Sequence, residues 1–256
     1  MIAPPCESAF ANRIVIVLGT PRSGTTWLAQ LLLSHPDLAG ADAESSVFRG
    51  LRDFWANAWR ADGEGLATCM ERAELAAVLR QFSDRIFGGA RDLHGPAATW
   101  FVEKTPDHVH RIPLMAATYP DAWYIHILRD GRDVARSHAR APFGPTDVSE
   151  TARLWAWRVR VVQQQRWRLA RFREVRYERL TEDPVGEVSD LLAWMGLDPD
   201  DDVRRRLAHA AGREVSTAHT SEPVGVGKWR RLAPEDLAAV YDEAGDLLAE
   251  LGYLDE

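Results

Sequence analysis

The chain has 256 residues, 46% hydrophobic and 27% charged, with a formal net charge of −7. That balance suits a globular protein with one sizeable core and argues against a general nucleic-acid binder, whose surface would be basic. The two cysteines, Cys6 and Cys69, make no disulfide framework, and neither a secretory leader nor a membrane-spanning apolar run stands out, so a cytoplasmic protein is expected.

In chain order, 13–19 (RIVIVLG) is continuously apolar and β-branched, as in a buried parallel strand. A turn follows, then a helix from Thr26 to Ser34 with Trp27, Leu28, Leu31 and Leu32 at helical spacing. A short strand is expected within 38–43, an aromatic-rich stretch over 48–60, and an amphipathic helix over 66–87 ended by Gly88-Gly89. Strands follow at 99–104 and 122–128, separated by a helical stretch reaching Thr118. A helix starts near Asp133, and a long arginine-rich helix covers 150–171. A strand at 172–178, helices at 184–195, 200–211 and 234–251, and a Gly-rich loop at 221–230 complete the chain. Strands alternating with helices imply an α/β fold, a parallel sheet flanked by helices around a P-loop-like nucleotide-binding core. The expectation is one domain over 1–256, with 1–12 a flexible N-terminus.

The first turn carries the chemistry. Gly19, four residues, Gly24, then Thr25 and Thr26 nearly reproduce the phosphate-binding P-loop, but Thr25 stands where that loop has lysine. Between a strand and a helix N-terminus, backbone N–H groups and the helix dipole face an anion. Ser23, Thr25 and Thr26 add hydroxyls and Arg22 a charge. Without the lysine, and with no acidic metal ligand evident on a neighbouring strand, the loop is poorly equipped to cleave a nucleoside triphosphate. A nucleotide kinase or NTPase is therefore the weaker reading; a cradle for one phosphate remains.

TPRSGTTWL, residues 20–28, resembles the 5′-phosphosulfate loop of sulfotransferases that use 3′-phosphoadenosine 5′-phosphosulfate (PAPS). Three further segments extend the resemblance. YIHILRDGRDVARS (124–137) is similar to the family's 3′-phosphate element, which implies that role for Arg129 and Ser137. VRYERL (175–180) looks like the segment near the adenine, which makes Tyr177 a nucleotide contact. EPVGVGKWRRL (222–232) resembles the loop that closes over the cofactor, here through Gly227, Lys228 and Trp229. Within the first loop, Arg22, Ser23, Gly24, Thr25, Thr26 and Trp27 are carried over as cofactor contacts. The resemblance runs from Ile14 to Tyr253 and is nearest to bacterial members related to the heparan sulfate and tyrosylprotein groups.

Of 31 basic residues only Lys104 and Lys228 are lysines, and both fall inside these motifs. An ammonium on a flexible stem is not interchangeable with guanidinium. Sulfuryl transfer needs a base for the acceptor hydroxyl and cations for the charge that develops. Arg22 and Lys104 are the expected cations, VEKTP resembling the active-centre lysine segment of the heparan sulfate enzymes. The base is less direct. Cytosolic members place histidine straight after the lysine, in K-T-H, whereas this chain has Lys104-Thr105-Pro106. The heparan and tyrosylprotein enzymes use a glutamate from the segment after the first helix. Glu44, in HPDLAGADAESSVF, occupies such a segment and is taken as the base, with His108 as the alternative.

Phe48, Trp55, Trp59, Trp100, Trp155 and Trp157 are expected mostly in the core, and none is assigned to an acceptor pocket. The reading is a PAPS-dependent sulfotransferase that yields PAP and a sulfate ester on a small-molecule, carbohydrate or peptide hydroxyl, with no metal. A non-catalytic PAP-binding module is the further alternative. Acceptor and oligomeric state are not legible.

Overall fold

The computed structural model describes residues 10–41, 43–58, 65–213 and 224–254. Among these residues, five strands make one wholly parallel sheet: β1 (Ile14–Gly19), β2 (Leu38–Gly40), β3 (Trp100–Lys104), β4 (Trp123–Leu128) and β5 (Arg171–Arg176), in the order β2-β3-β1-β4-β5. The helices are α1 (Thr25–Leu32), α2 (Val47–Asn57), α3 (Arg72–His94), α4 (Ile112–Thr118), α5 (Gly131–Ala139), α6 (Val148–Gln165), α7 (Tyr177–Glu182), α8 (Pro184–Met195), α9 (Asp201–Ala211) and α10 (Pro234–Glu250). None of the described helices is long and apolar enough to cross a membrane.

Every residue of β1 is buried, because helices cover both faces of its sheet. Alternation along the strand sends Ile14, Ile16 and Leu18 into one core with Phe48, Phe87, Phe101 and Tyr119. Val15 and Val17 enter another with Trp27, Leu28, Val102, Ile127 and residues of α8 and α9. A third cluster joins Leu128, Val134 and Trp155 to Val240, Leu247 and Tyr253 of the C-terminal region.

Several boundaries differ from the sequence reading. Residues 66–68 form a separate 3₁₀ turn, and α3 begins at Arg72 behind a capping box of Glu71 and Glu74. It runs straight through Gly88-Gly89 to His94. A Cβ at either glycine would meet nothing within 4 Å, so neither marks a turn. Each costs the helix about 1 kcal/mol relative to alanine, which the burial of Phe87 and the earlier turns of α3 outweighs. The arginine-rich helix ends at Gln165, and a 3₁₀ turn (Arg166–Arg168) precedes β5. Tyr177 is the first residue of α7 rather than part of a strand.

Candidate active site

Sheet order reverses at β1, with β3 on one side and β4 on the other, and the crevice beyond the carboxyl ends of these strands is where open parallel sheets place ligands. Gly24 caps α1 at φ 97°, and Arg22 also lies in the left-handed region at φ 75°. A Cβ on Gly24 would come within 2.6 Å of the Tyr177 ring, so the loop needs glycine for both reasons. The first N–H groups of α1 have no partner within the helix, and the buried Trp27 Nε1 bonds nothing. These unpaired donors around a glycine cradle fit a bound phosphate.

Arg22 Nε donates to Ser137 Oγ at 3.1 Å, which joins the loop after β1 to α5. Arg129, at the end of β4, is buried and lies over the Tyr177 ring at 4.1 Å. It donates to the carbonyls of Arg22 and Gly225, both at 3.0 Å, and pairs with Asp133 at 3.4 Å. Trp155 Nε1 donates to the Arg129 carbonyl at 3.1 Å. Trp27 meets Tyr177 edge-on, ring centroids 5.8 Å apart.

Asp133 anchors the C-terminal loop. Its carboxylate accepts from Gly227 N–H at 3.0 Å and Trp229 N–H at 2.7 Å, and Tyr177 Oη accepts from Gly225 N–H at 3.3 Å. Gly227 stands at φ 70° and opens a 3₁₀ turn (Lys228–Arg231), with Trp229 beneath the Arg132 guanidinium at 3.9 Å. Lys228 is half-buried in this turn. Residues 222 and 223 of the motif lie outside the described residues. The sequence reading named Asp133 only as the place where a helix starts; an acid spaced i,i+4 from Arg129 was the available signal.

Beyond β3, Lys104 Nζ lies 3.4 Å from Glu44 Oε1, with Lys104 mostly buried and Glu44 half exposed. Two of the expected catalytic residues thus meet, 60 positions apart in sequence. Beneath them Glu103 is buried and accepts from Thr105 Oγ1 at 2.7 Å, while Thr105 Oγ1 accepts from Ser46 N–H at 3.4 Å. Burial pushes the Glu103 carboxyl above its ordinary pKa, against hydrogen bonds from Thr105 and Ser45. This network ties the Glu44 segment to the Lys104 strand end, and the sequence reading missed it.

His108 does not come to the cleft. It is 0% exposed, edge-on to Phe48 at 5.0 Å, and both ring nitrogens are without hydrogen bonds. Its Nδ1 lies 3.4 Å from Glu103 Oε1 but is misaligned for a bond. Burial, and then the charge of Arg111, pull its pKa down to about 3. An imidazole so enclosed has no route to an acceptor proton. Among the aromatics, Phe48, Trp55, Trp100 and Trp155 are buried, Trp157 is half exposed, and Trp59 lies outside the described residues.

A family model described as "Sulfotransferase family" matches residues 14–202. Nodulation protein NoeE of Sinorhizobium fredii is 29% identical over 94% of this chain. Protein-tyrosine sulfotransferase 1 of Danio rerio is 24% identical, also over 94%. The matches span 66% of the former and 72% of the latter. The crystal structure of mouse sulfotransferase SULT7A1 complexed with PAP shares the fold at a TM-score of 0.56 and 14% identity, covering 95% of this chain and 90% of that one.

Proposed function

The chain belongs to the sulfotransferase family, and from that premise we propose how its cleft moves a sulfuryl group from PAPS to a hydroxyl acceptor, with Glu44 as the base. When bound, PAPS supplies the sulfuryl group already attached to a good leaving phosphate. The chain's tasks are then alignment, charge balance and proton removal.

The N–H groups and hydroxyls from Ser23 to Thr26 cradle the 5′-phosphosulfate, with Arg22 as the adjacent cation. Arg129 and Ser137 hold the 3′-phosphate. Trp27 and Tyr177 contact the adenine, and Gly227, Lys228 and Trp229 cover the nucleotide. Glu44 takes the acceptor proton, and Lys104 balances charge on the transferring group. The observation that carries this reading is the Lys104–Glu44 pair at 3.4 Å, half open to solvent at the end of a strand beside β1. The other candidate, His108, is enclosed. We take the whole chain as one domain and place it in a bacterial cytoplasm, on its two-cysteine composition and its bacterial relative.

The test is Glu44→Gln. Sulfuryl transfer from PAPS to a panel of phenols, sugars and peptide tyrosines should fall by about 10²–10⁴ in kcat, the range for a lost general base, while PAP affinity stays within about twofold. Turnover equal to wild type would remove Glu44 from the role.

A further inference from the structure

One side chain that the transfer chemistry leaves unexplained is Arg158 on α6. Its Nε and Nη1 are buried and bond nothing. A guanidinium carries five donors and keeps its charge, so leaving two of them buried without a hydrogen bond is costly.

Asp107 acts on Arg158 through space but makes no hydrogen bond to its Nε or Nη1. Asp107 lies 3.6 Å from Arg111 and 4.0 Å from His110, and Asp53 pairs with Arg52 at 3.0 Å. Arg49 and Arg52 add further positive charge beside Arg111. The patch is cationic on a chain whose net charge is −7. His110 stacks on Trp157 at 4.2 Å and 22°, and Trp157 is 51% exposed. Phe143, also partly exposed, has its ring 5.9 Å from His138. His138 has a buried Nδ1 without a partner. Burial and then Arg158 hold both histidines neutral, at pKa values of about 4, so the fixed charge in the patch is the arginines'.

The patch adjoins the transfer chemistry. Glu44 lies three residues before α2, which carries Arg49 and Arg52. Lys104 leads directly into the 3₁₀ turn (Pro106–Arg111) carrying Asp107, His110 and Arg111. On the far side, His138 follows Ser137, the partner of Arg22.

We propose that Arg158, with His110 and His138, binds a fixed anion on the hydroxyl acceptor, a carboxylate or a phosphate or sulfate monoester, while the acceptor's ring lies on Trp157. The inference rests on the reading of this cleft as a sulfotransferase site. A guanidinium fork matches the paired oxygens of these anions, and an aromatic wall suits a flat ring or the apolar face of a sugar. Acceptor choice then depends on charge: a neutral analogue leaves the guanidinium unpaired, which disfavours it strongly.

The test uses the PAP-saturated protein, so that nucleotide phosphate sites are filled. Calorimetry and tryptophan fluorescence follow titration with 4-hydroxyphenylacetate, 4-hydroxyphenyl phosphate and neutral 4-hydroxyphenylacetamide. At least one anion should bind about tenfold or more tightly than the amide, and which one identifies the anion class. Arg158→Met should bring that anion to the amide's affinity, with PAP affinity unchanged. Equal binding of acids and amide, no binding of any probe at millimolar concentration, or an anion preference that survives in Arg158→Met would overturn the proposal. So would loss of PAP affinity in the variant, which would assign Arg158 to the nucleotide. Wild-type protein that fails to bind PAP at all would instead defeat the sulfotransferase reading beneath it.

Discussion

Asp133→Ala should release the C-terminal loop and weaken PAP binding without unfolding the protein. The Asp133 side chain is 1% exposed and accepts the backbone N–H groups of Gly227 and Trp229 while pairing with Arg129. A hydrogen bond to a charged group contributes about 1.5–3 kcal/mol, so the two amide bonds together set an upper bound of about 6 kcal/mol. The loop is at the surface, and its freed amides regain water once it lifts, so the observed loss should be about 2–4 kcal/mol. At about 1.4 kcal/mol per decade, that is a roughly 30- to 1000-fold faster exchange of the Gly227 and Trp229 amides. Arg129 keeps the carbonyls of Arg22 and Gly225 in reach, so the β4 end should stay folded. Hydrogen exchange read by mass spectrometry on a 224–232 peptide, with PAP calorimetry in parallel, decides the matter. Unchanged exchange over that peptide, or PAP affinity equal to wild type with the loop freed, would refute the reasoning.

Arg129→Ala should weaken PAP binding by about 1.5–3 kcal/mol and abolish the preference over adenosine 5′-phosphate; a preserved preference would move the 3′-phosphate elsewhere. Gly24→Ala places a Cβ 2.6 Å from Tyr177 at φ 97°. It should cost about 1–2 kcal/mol for the left-handed backbone and about 1–3 kcal/mol for the overlap; an unchanged melting temperature would count against the loop geometry. His108 has its pKa held at about 3 in the fold against 6.5 when unfolded, so the unfolded chain binds the extra proton as pH falls through that interval. Its neutral burial therefore contributes stability that is complete above pH 6.5 and is lost on acidification towards 3, by at most about 1.4 kcal/mol per pH unit. Raised carboxyls such as Glu103 oppose this trend, so the measurement is the difference in urea stability between wild type and His108→Gln from pH 7 to 5. A difference that does not change with pH would show that His108 is not buried neutral.

The glycine turn, the strand before it and the helix after it were readable because they are contiguous: RIVIVLG pairs its apolar run with a burial that a parallel sheet imposes, and Gly24 sits where only a glycine tolerates φ 97°. The order of β1, β3 and β4 was not readable, since no local pattern encodes which strand pairs with which. Yet that order sets Lys104 beside Val17 and brings Glu44 to it. The same holds for Asp133, whose loop partners lie 94 and 96 residues away. His108 was the alternative base on its chemistry, and the depth at which it lies, 0% exposed, is a property of packing. Gly88-Gly89 misled because a glycine's cost of about 1 kcal/mol is small beside what a long amphipathic helix gains from the core. Local backbone requirements are written in a few neighbouring residues, so the sequence by itself determined the glycine turn after β1 and the α/β class. Pairings between distant charges, and the buried Arg158 donors without a hydrogen bond, depend on where the chain crosses the sheet; only the tertiary structure decided them.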